Sequence, residues 1–238
     1  MPKRLFDLLA VIASLPVWLP VFVATVLLMF VLEGRPVFYR SQRRVRRHLT
    51  MPILKFRTMV RNAEAVCDRE TVPVTTQRFL NISLDSPLYT RLGRWIERFQ
   101  ITELPQSVNV IVGQMTIVGN RPLPENVIAS LKEVYPNAEE RFRTPAGLTG
   151  MVQLIGREQT SDGDRLALES NYCRATEQNY SVLLDVLVLA FTILIVLRLM
   201  QAFSVLGAHA FIDRFAPCSW ATQMDECDAA GSMAGPDA

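Results

Sequence analysis

The sequence predicts an α+β protein, mostly helical, with an N-terminal membrane helix that is broken by proline and re-entrant, a small domain with short strands, and amphipathic helices lying in the membrane interface. Three observations carry this reading. No charged residue occurs between Asp7 and Glu33, although Pro16 and Pro20 fall inside that stretch. Apolar residues recur at spacings of three and four among the arginines of Arg91–Phe99. Val182 to Met200 is nearly continuous apolar sequence, interrupted by Asp185 and Arg198. With 238 residues, 50% of them hydrophobic, the chain has room for one ordinary domain plus membrane elements.

The first apolar stretch corresponds to about 37 Å of helix, enough to cross a hydrocarbon core of about 30 Å. Each proline removes a backbone donor and presses on the preceding turn, which predicts a sharp break near the middle. Basic residues flank both ends, Lys3 and Arg4 before and an arginine run after, whereas a single crossing leaves its positive flank on one side. The segment therefore reads as entering one leaflet and returning, with both ends cytoplasmic and the Ser14 hydroxyl available to freed carbonyls. A cleaved signal peptide is the competing reading; the stretch lacks a small-residue cleavage pattern before the basic run.

Net charge is only +2, yet Arg40, Arg43, Arg44, Arg46, Arg47, His48, Lys55 and Arg57 fall in one short region. Such a run reads as a basic loop suited to anionic lipid headgroups or diphosphates, with a plain solvated loop as the alternative. No nucleic-acid-binding module accompanies it, so no nucleic-acid partner is expected. Cys67, Cys173, Cys218 and Cys227 show neither metal spacing nor disulfide density and read as reduced thiols. Residues 60–85 are polar and mixed, with a short helical turn over Ala63–Arg69 and no assigned chemistry. Arg91–Phe99 reads as a surface-lying helix whose Trp95 and Phe99 are either lipid-facing anchors or core residues.

Ile101–Glu125 packs an acid, glycine turns and an arginine into one unit. Glu103 precedes Leu104-Pro105, which presents its carboxylate near a helix start. Arg121, between Asn120 and Pro122, is a guanidinium on a rigid turn, suited to gripping phosphate oxygens. Arg141 to Gly150 is a Gly-rich segment with nearby arginines, a pattern that lets backbone N–H groups approach a diphosphate. Val182–Met200 fits either a membrane span or, because of Asp185, Thr192, Arg198 and Gln201, an interfacial helix. The tail from Ala216 to Ala238 carries no packing pattern and reads as disordered.

These segments, in this order, resemble the bacterial sugar transferases, small monotopic polyprenyl-phosphate phosphoglycosyl transferases. The resemblance runs from about Lys3 to Arg198: Lys3-Arg4-Leu5-Phe6-Asp7, the helix-breaking Pro20, Gly34-Arg35-Pro36-Val37-Phe38, Lys55-Phe56-Arg57-Thr58-Met59, the Leu-Pro-Gln unit after Glu103, and Asn120-Arg121-Pro122. It implies transfer of a sugar phosphate from a nucleotide diphosphosugar to polyprenyl (undecaprenyl) phosphate, the first membrane step of exopolysaccharide, O-antigen or other surface glycan assembly. It also implies the cytoplasmic face of the bacterial inner membrane, contact with anionic lipid and with downstream glycosyltransferases, and Mg²⁺ (or Mn²⁺) held by Glu103. Carried over by position, the substrate-binding residues are Lys55, Arg57, Asn109, Arg121, Arg143, Gly147, Thr149, Gln153 and Arg157, and Glu169 sits on the helix that closes the site. Many members have arginine two residues before the first loop glycine, where Pro145 stands here, and Arg143 is the candidate to take its place.

The chain departs from the family where the chemistry is densest. The family's Asp-Glu pair is Thr102-Glu103 here, and its Gly-Asp-Met-Ser is Gly113-Gln114-Met115-Thr116. An unaided threonine hydroxyl is far too weakly acidic to do what a carboxylate nucleophile does. Three routes stay open: attack by Glu103, direct attack by the acceptor phosphate, or no catalysis, in which case the chain is a membrane binding or scaffold protein. A structural membrane protein is the remaining reading. The expected division is 1–36 re-entrant helix, 37–181 catalytic domain, 182–215 hydrophobic membrane-associated helix and 216–238 tail.

Overall fold

The computed structural model describes residues 2–61, 63, 84–155 and 160–217. Helix α1 spans Pro2–Leu32 without interruption, so the expected break at Pro16 and Pro20 does not divide it. Side chains turn back on the backbone just before the first proline. Ser14 Oγ donates to the carbonyls of Ala10 (2.7 Å) and Val11 (3.1 Å), and the Trp18 indole donates to Val11 at 3.2 Å. Apolar side chains in the middle of α1, among them Ile12, Val17, Leu19 and Val23, are exposed.

Both ends of α1 are fastened to the same body of protein. Near the start, the Asp7 carboxylate accepts from Thr116 Oγ1 at 2.7 Å and from the Ile117 amide at 2.9 Å. Lys3 donates to Asp185 (2.7 Å) and to the Val118 carbonyl (2.8 Å), and Arg4 donates to the carbonyls of Val110 and Ile111. Toward the other end, Met29 is fully buried with Phe56 and Ile96, and Phe22 packs on Phe38 and Phe56 with ring centroids 6.0 and 5.4 Å away.

The basic run is not a loop. Strand β1 (Phe38–Arg46) pairs antiparallel with β2 (Leu49–Phe56), from Phe38 opposite Phe56 to Arg46 opposite Leu49, with a bulge between Arg44 and Arg46. Alternation explains it, since Ser41 and Val45 turn inward while Arg40, Gln42 and Arg46 stay exposed. Helix α2 (Arg91–Arg98) follows, capped by Thr90, whose hydroxyl accepts from the Gly93 amide at 2.8 Å. On its outer face Trp95 and Phe99 are both exposed and stack on each other at 5.7 Å, so neither joins the core.

A 3₁₀ turn, Ile101–Gln106, leads into the short α3, Ser107–Ile111. Strand β3 (Thr116–Val118) then runs parallel to β4 (Gly147–Thr149), with α4 (Glu125–Val134) and a 3₁₀ turn (Ala138–Phe142) between them. Gly119 and Gly147 let these two segments touch backbone to backbone: a Cβ on Gly147 would lie 2.2 Å from the Gly119 nitrogen.

After the short α5 (Met151–Leu154) come α6 (Asp162–Gln178), α7 (Val182–Val196) and α8 (Val205–Phe215). The last two divide the segment expected as one hydrophobic helix, and α7, at about 22 Å, is too short to cross a bilayer core of about 30 Å. Among the described residues, α1 alone has the length and apolarity to cross. The main core joins Val45, Ile53, Val118, Met151, Leu168 and Ile212, so the hairpin, the parallel pair, α6 and α8 bury one another. Asp185, buried in the first turn of α7, accepts from Lys3, Tyr172 and Tyr180 and ties α7 to the start of α1.

Candidate active site

The 3₁₀ turn carries the acid, and two elements deliver cations to it. Glu103 Oε1 lies 2.8 Å from Arg121 Nη1 and 3.3 Å from Lys55 Nζ, and all three side chains are largely buried. Lys55 is the penultimate residue of β2, and Arg121 follows β3 on the Asn120–Pro122 segment. Burial pushes the Lys55 ammonium down to about 8, against the pull of Glu103. The Arg121 guanidinium is held even more firmly protonated by Glu103 beside it. Two cations converge on this carboxylate, a grouping in which an anionic ligand can take its place.

Behind Arg121 lies a buried polar layer. Arg141 Nη2 donates to the Arg121 carbonyl at 3.0 Å and to Glu169 Oε1 at 2.6 Å. Asn120 Nδ2 donates to the backbone carbonyls of Arg141 (2.9 Å) and Glu169 (3.0 Å). Burial raises the Glu169 carboxyl and the Arg141 guanidinium opposes that shift. Glu169 thus braces the backbone of Arg121 from α6. Arg141 was missed by the sequence reading, which chose Arg143 two residues on; the signal available was a second arginine in the same segment.

The remaining expected residues divide. Arg57 holds the end of α1, donating to the carbonyls of Glu33 (3.3 Å) and Gly34 (3.4 Å). Arg143 pairs at 2.6 Å with Glu177 on α6. Thr149 shares a buried 2.9 Å hydrogen bond with Thr192, and Asn109 donates to Gln114 at 2.9 Å. Gly147 serves the close approach to Gly119, and Gln153 lies half-buried on α5. Arg157 lies outside the described residues, as do most of Ala63–Arg69 and all but the start of the 216–238 tail.

Thr102, beside Glu103, is 4% exposed, and its hydroxyl donates to Glu97 Oε2 at 2.8 Å. Gln100, at φ 58°, makes the sharp turn that folds the 3₁₀ segment back under the last turn of α2 and sets this contact. Glu97 also escaped the sequence reading, although its place five residues before Thr102 was the available signal.

Among the described residues no group of three or more His, Cys, Asp or Glu side chains could hold a metal ion unaided. Glu103 nonetheless fits a Mg²⁺ site of the kind that takes one or two carboxylates and fills the rest of its shell with substrate phosphates and water.

Fold and site together define a protein with a long apolar helix and a largely buried cluster of Lys55, Arg121 and Glu103, suited to phosphorylated ligands. The sequence profile of the family described as "Bacterial sugar transferase" matches residues 1–199, and the chain belongs to that family. It is 33% identical to the exopolysaccharide production protein ExoY of Sinorhizobium fredii, over 80% of this chain and 83% of that protein. It is 32% identical to the UDP-galactose-lipid carrier transferase of Erwinia amylovora, over 82% of this chain and 40% of the other. It is 31% identical to the undecaprenyl-phosphate glucose phosphotransferase of Komagataeibacter xylinus, over 80% of this chain and 35% of the other.

Proposed function

We propose that this chain is a phosphoglycosyl transferase that moves a sugar phosphate from a nucleotide diphosphosugar to undecaprenyl phosphate, opening the assembly of an exopolysaccharide or other surface glycan. The family match over residues 1–199, with its cationic carboxylate site formed in three dimensions by Lys55, Glu103 and Arg121, carries the reading. The relatives named for undecaprenyl-phosphate and lipid-carrier sugar transfer agree with it.

Lys55 and Arg121 bind the donor's phosphate oxygens and stabilise the charge that shifts to the departing nucleoside monophosphate. Arg141 and Glu169 keep the Arg121 backbone fixed, so the guanidinium is pre-positioned rather than recruited. Glu103, together with the donor's own diphosphate oxygens, is the carboxylate that would hold Mg²⁺ or Mn²⁺, which neutralises diphosphate charge when bound.

The same reading places the protein on the cytoplasmic face of the bacterial inner membrane, with α1 dipping into one leaflet and returning. Fastening at both Lys3–Asp7 and Phe22–Met29 supports it, because it leaves the exposed apolar middle of α1 as the part free to enter the leaflet. Exposed apolar residues in the middle of α1 and the Trp95–Phe99 pair are suited to acyl chains, and the arginines of α2 to anionic headgroups.

The reading is tested with the purified full chain in nanodiscs containing undecaprenyl phosphate, incubated with UDP-galactose, UDP-glucose or UDP-N-acetylgalactosamine labelled in the sugar. Label should pass into the organic phase only when undecaprenyl phosphate is present. Label that stays in water with all three donors would refute the reading for those sugars.

A further inference from the structure

Position 102, where the family has its aspartate, carries threonine, yet a carboxylate stands within hydrogen-bond reach of it. The Thr102 hydroxyl gives its proton to Glu97 Oε2 at 2.8 Å, and Glu97 is half-buried where Thr102 is almost wholly covered. Of the two, Glu97 is the side chain with access to the outside of the site. Its charge supports protonation of both Lys55 and Arg121, which places it in the same electrostatic cluster as Glu103. Glu103 is the poorer nucleophile, because its Oε1 is held by two cations that withdraw its charge. Glu97 Oε2 accepts only from a neutral hydroxyl in that contact.

The geometry points to Glu97 as the carboxylate nucleophile of this chain, with Thr102 as the positioning residue that aims it. This rests on the sugar-phosphate transfer reading above. A Glu97 oxygen attacks the phosphorus that bears the sugar, the P–O bond to the nucleotide breaks, and nucleoside monophosphate leaves with the electron pair. A carboxylate needs no base for this, since it has no proton to lose. An undecaprenyl phosphate oxygen then attacks the same phosphorus, the P–O bond to Glu97 breaks, and the carboxylate is regenerated as the lipid diphosphosugar departs. The acid has moved from the 3₁₀ turn to the last turn of α2, and the left-handed Gln100 between them makes the exchange geometrically feasible.

The two glutamates are separable by protease. Trypsin cleaves after Arg94, Arg98 and Lys132 but not at the Arg121-Pro122 bond, which leaves Glu97 on the Trp95–Arg98 peptide and Glu103 on Phe99–Lys132. The full chain in nanodiscs without undecaprenyl phosphate is mixed with UDP-galactose, UDP-glucose or UDP-N-acetylgalactosamine and quenched with hydroxylamine, which converts an acyl phosphate to a hydroxamate. The expected result is a burst of UMP stoichiometric with protein and a hydroxamate on Trp95–Arg98. Glu97→Gln, which keeps an acceptor for Thr102, should lose the mark and lower turnover by about 10³-fold or more. Thr102→Val should lower kcat while the mark stays on Glu97. Glu97→Gln with Thr102→Asp, which puts the carboxylate back at position 102, should recover turnover and move the mark to Phe99–Lys132. A wild-type mark on Phe99–Lys132, UMP release that always requires the acceptor and leaves no mark, or Glu97→Gln turnover within about threefold of wild type would overturn the assignment while leaving the transfer reading intact. Wild-type protein that releases no UMP with or without acceptor would remove both.

Discussion

Arg121 Nη1 stands 2.8 Å from Glu103 Oε1, a contact between the turn that follows β3 and a 3₁₀ segment eighteen residues earlier in the chain. The buried Arg141 grips the Arg121 carbonyl from behind, so both ends of this arginine are fixed. Glu103 takes the place beside Arg121 that a phosphate oxygen takes in the proposed complex. Arg121→Lys keeps the charge but loses the guanidinium fork. Donor Kd should rise by about 10- to 150-fold, matching about 1.5–3 kcal/mol for a hydrogen bond to a charged group. Calorimetric titration of nanodisc-bound protein reads this directly. Unchanged Kd with a lowered Tm would make Arg121 only a structural partner of Glu103.

Lys55 gives the site a pH dependence. Its folded value is about 8 against an ordinary 10.5, so below pH 8 the folded and unfolded chains both hold the proton. Between these values the unfolded chain holds more, and the Lys55 contribution to stability rises with pH across that window. Function moves the opposite way, because the neutral amine no longer attracts phosphate. A plot of kcat/KM for the donor, which reports the free enzyme, should therefore fall above about pH 8. Lys55→Arg should abolish that fall; a profile identical to wild type would assign it to another group.

Gly147 sets the spacing of the parallel pair. A methyl group there would lie 2.2 Å from the Gly119 nitrogen and 2.6 Å from its Cα, atoms that move only if β3 and β4 separate. Gly147→Ala should cost about 1–3 kcal/mol, the usual range for overpacking, and lower the thermal unfolding midpoint accordingly. Unchanged Tm would mean the strand ends slide apart freely.

The course of α1 is tested by labelling. Pro2, the first residue of α1, and Arg40, beyond its end, are both exposed, and neither makes the Lys3–Asp185 contact. Single cysteines at these positions, with Cys67, Cys218 and Cys227 replaced and the fully buried Cys173 retained, should both react with a membrane-impermeant thiol reagent only from the cytoplasmic side. Reaction from opposite sides would establish a span.

Much of this architecture was legible because it rests on local pattern. The uncharged run gave α1, the three-and-four spacing gave α2, and proline after Leu104 marked the short turn that holds Glu103. The hairpin was hidden because eight cationic and imidazole side chains masked an alternation carried by only Ser41 and Val45. Lys55, Glu103 and Arg121, each picked out by residue type and local motif, converge in the fold. Tertiary partners were not legible: Arg57 meets the end of α1, Arg143 pairs with Glu177 and Thr149 with Thr192. Glu97 and Arg141 acquire meaning only once the chain is folded, through a left-handed residue at Gln100 and a buried acid at Glu169.

The most direct measurement follows a single atom, the β-phosphorus of the donor. The full chain in undecaprenyl phosphate nanodiscs is given UDP-galactose, UDP-glucose or UDP-N-acetylgalactosamine radiolabelled at that phosphorus, and lipid and nucleotide fractions are counted. The account predicts label in the lipid and unlabelled UMP in the water. Label released as UDP while the sugar alone enters the lipid, or label that never leaves the donor, would contradict it.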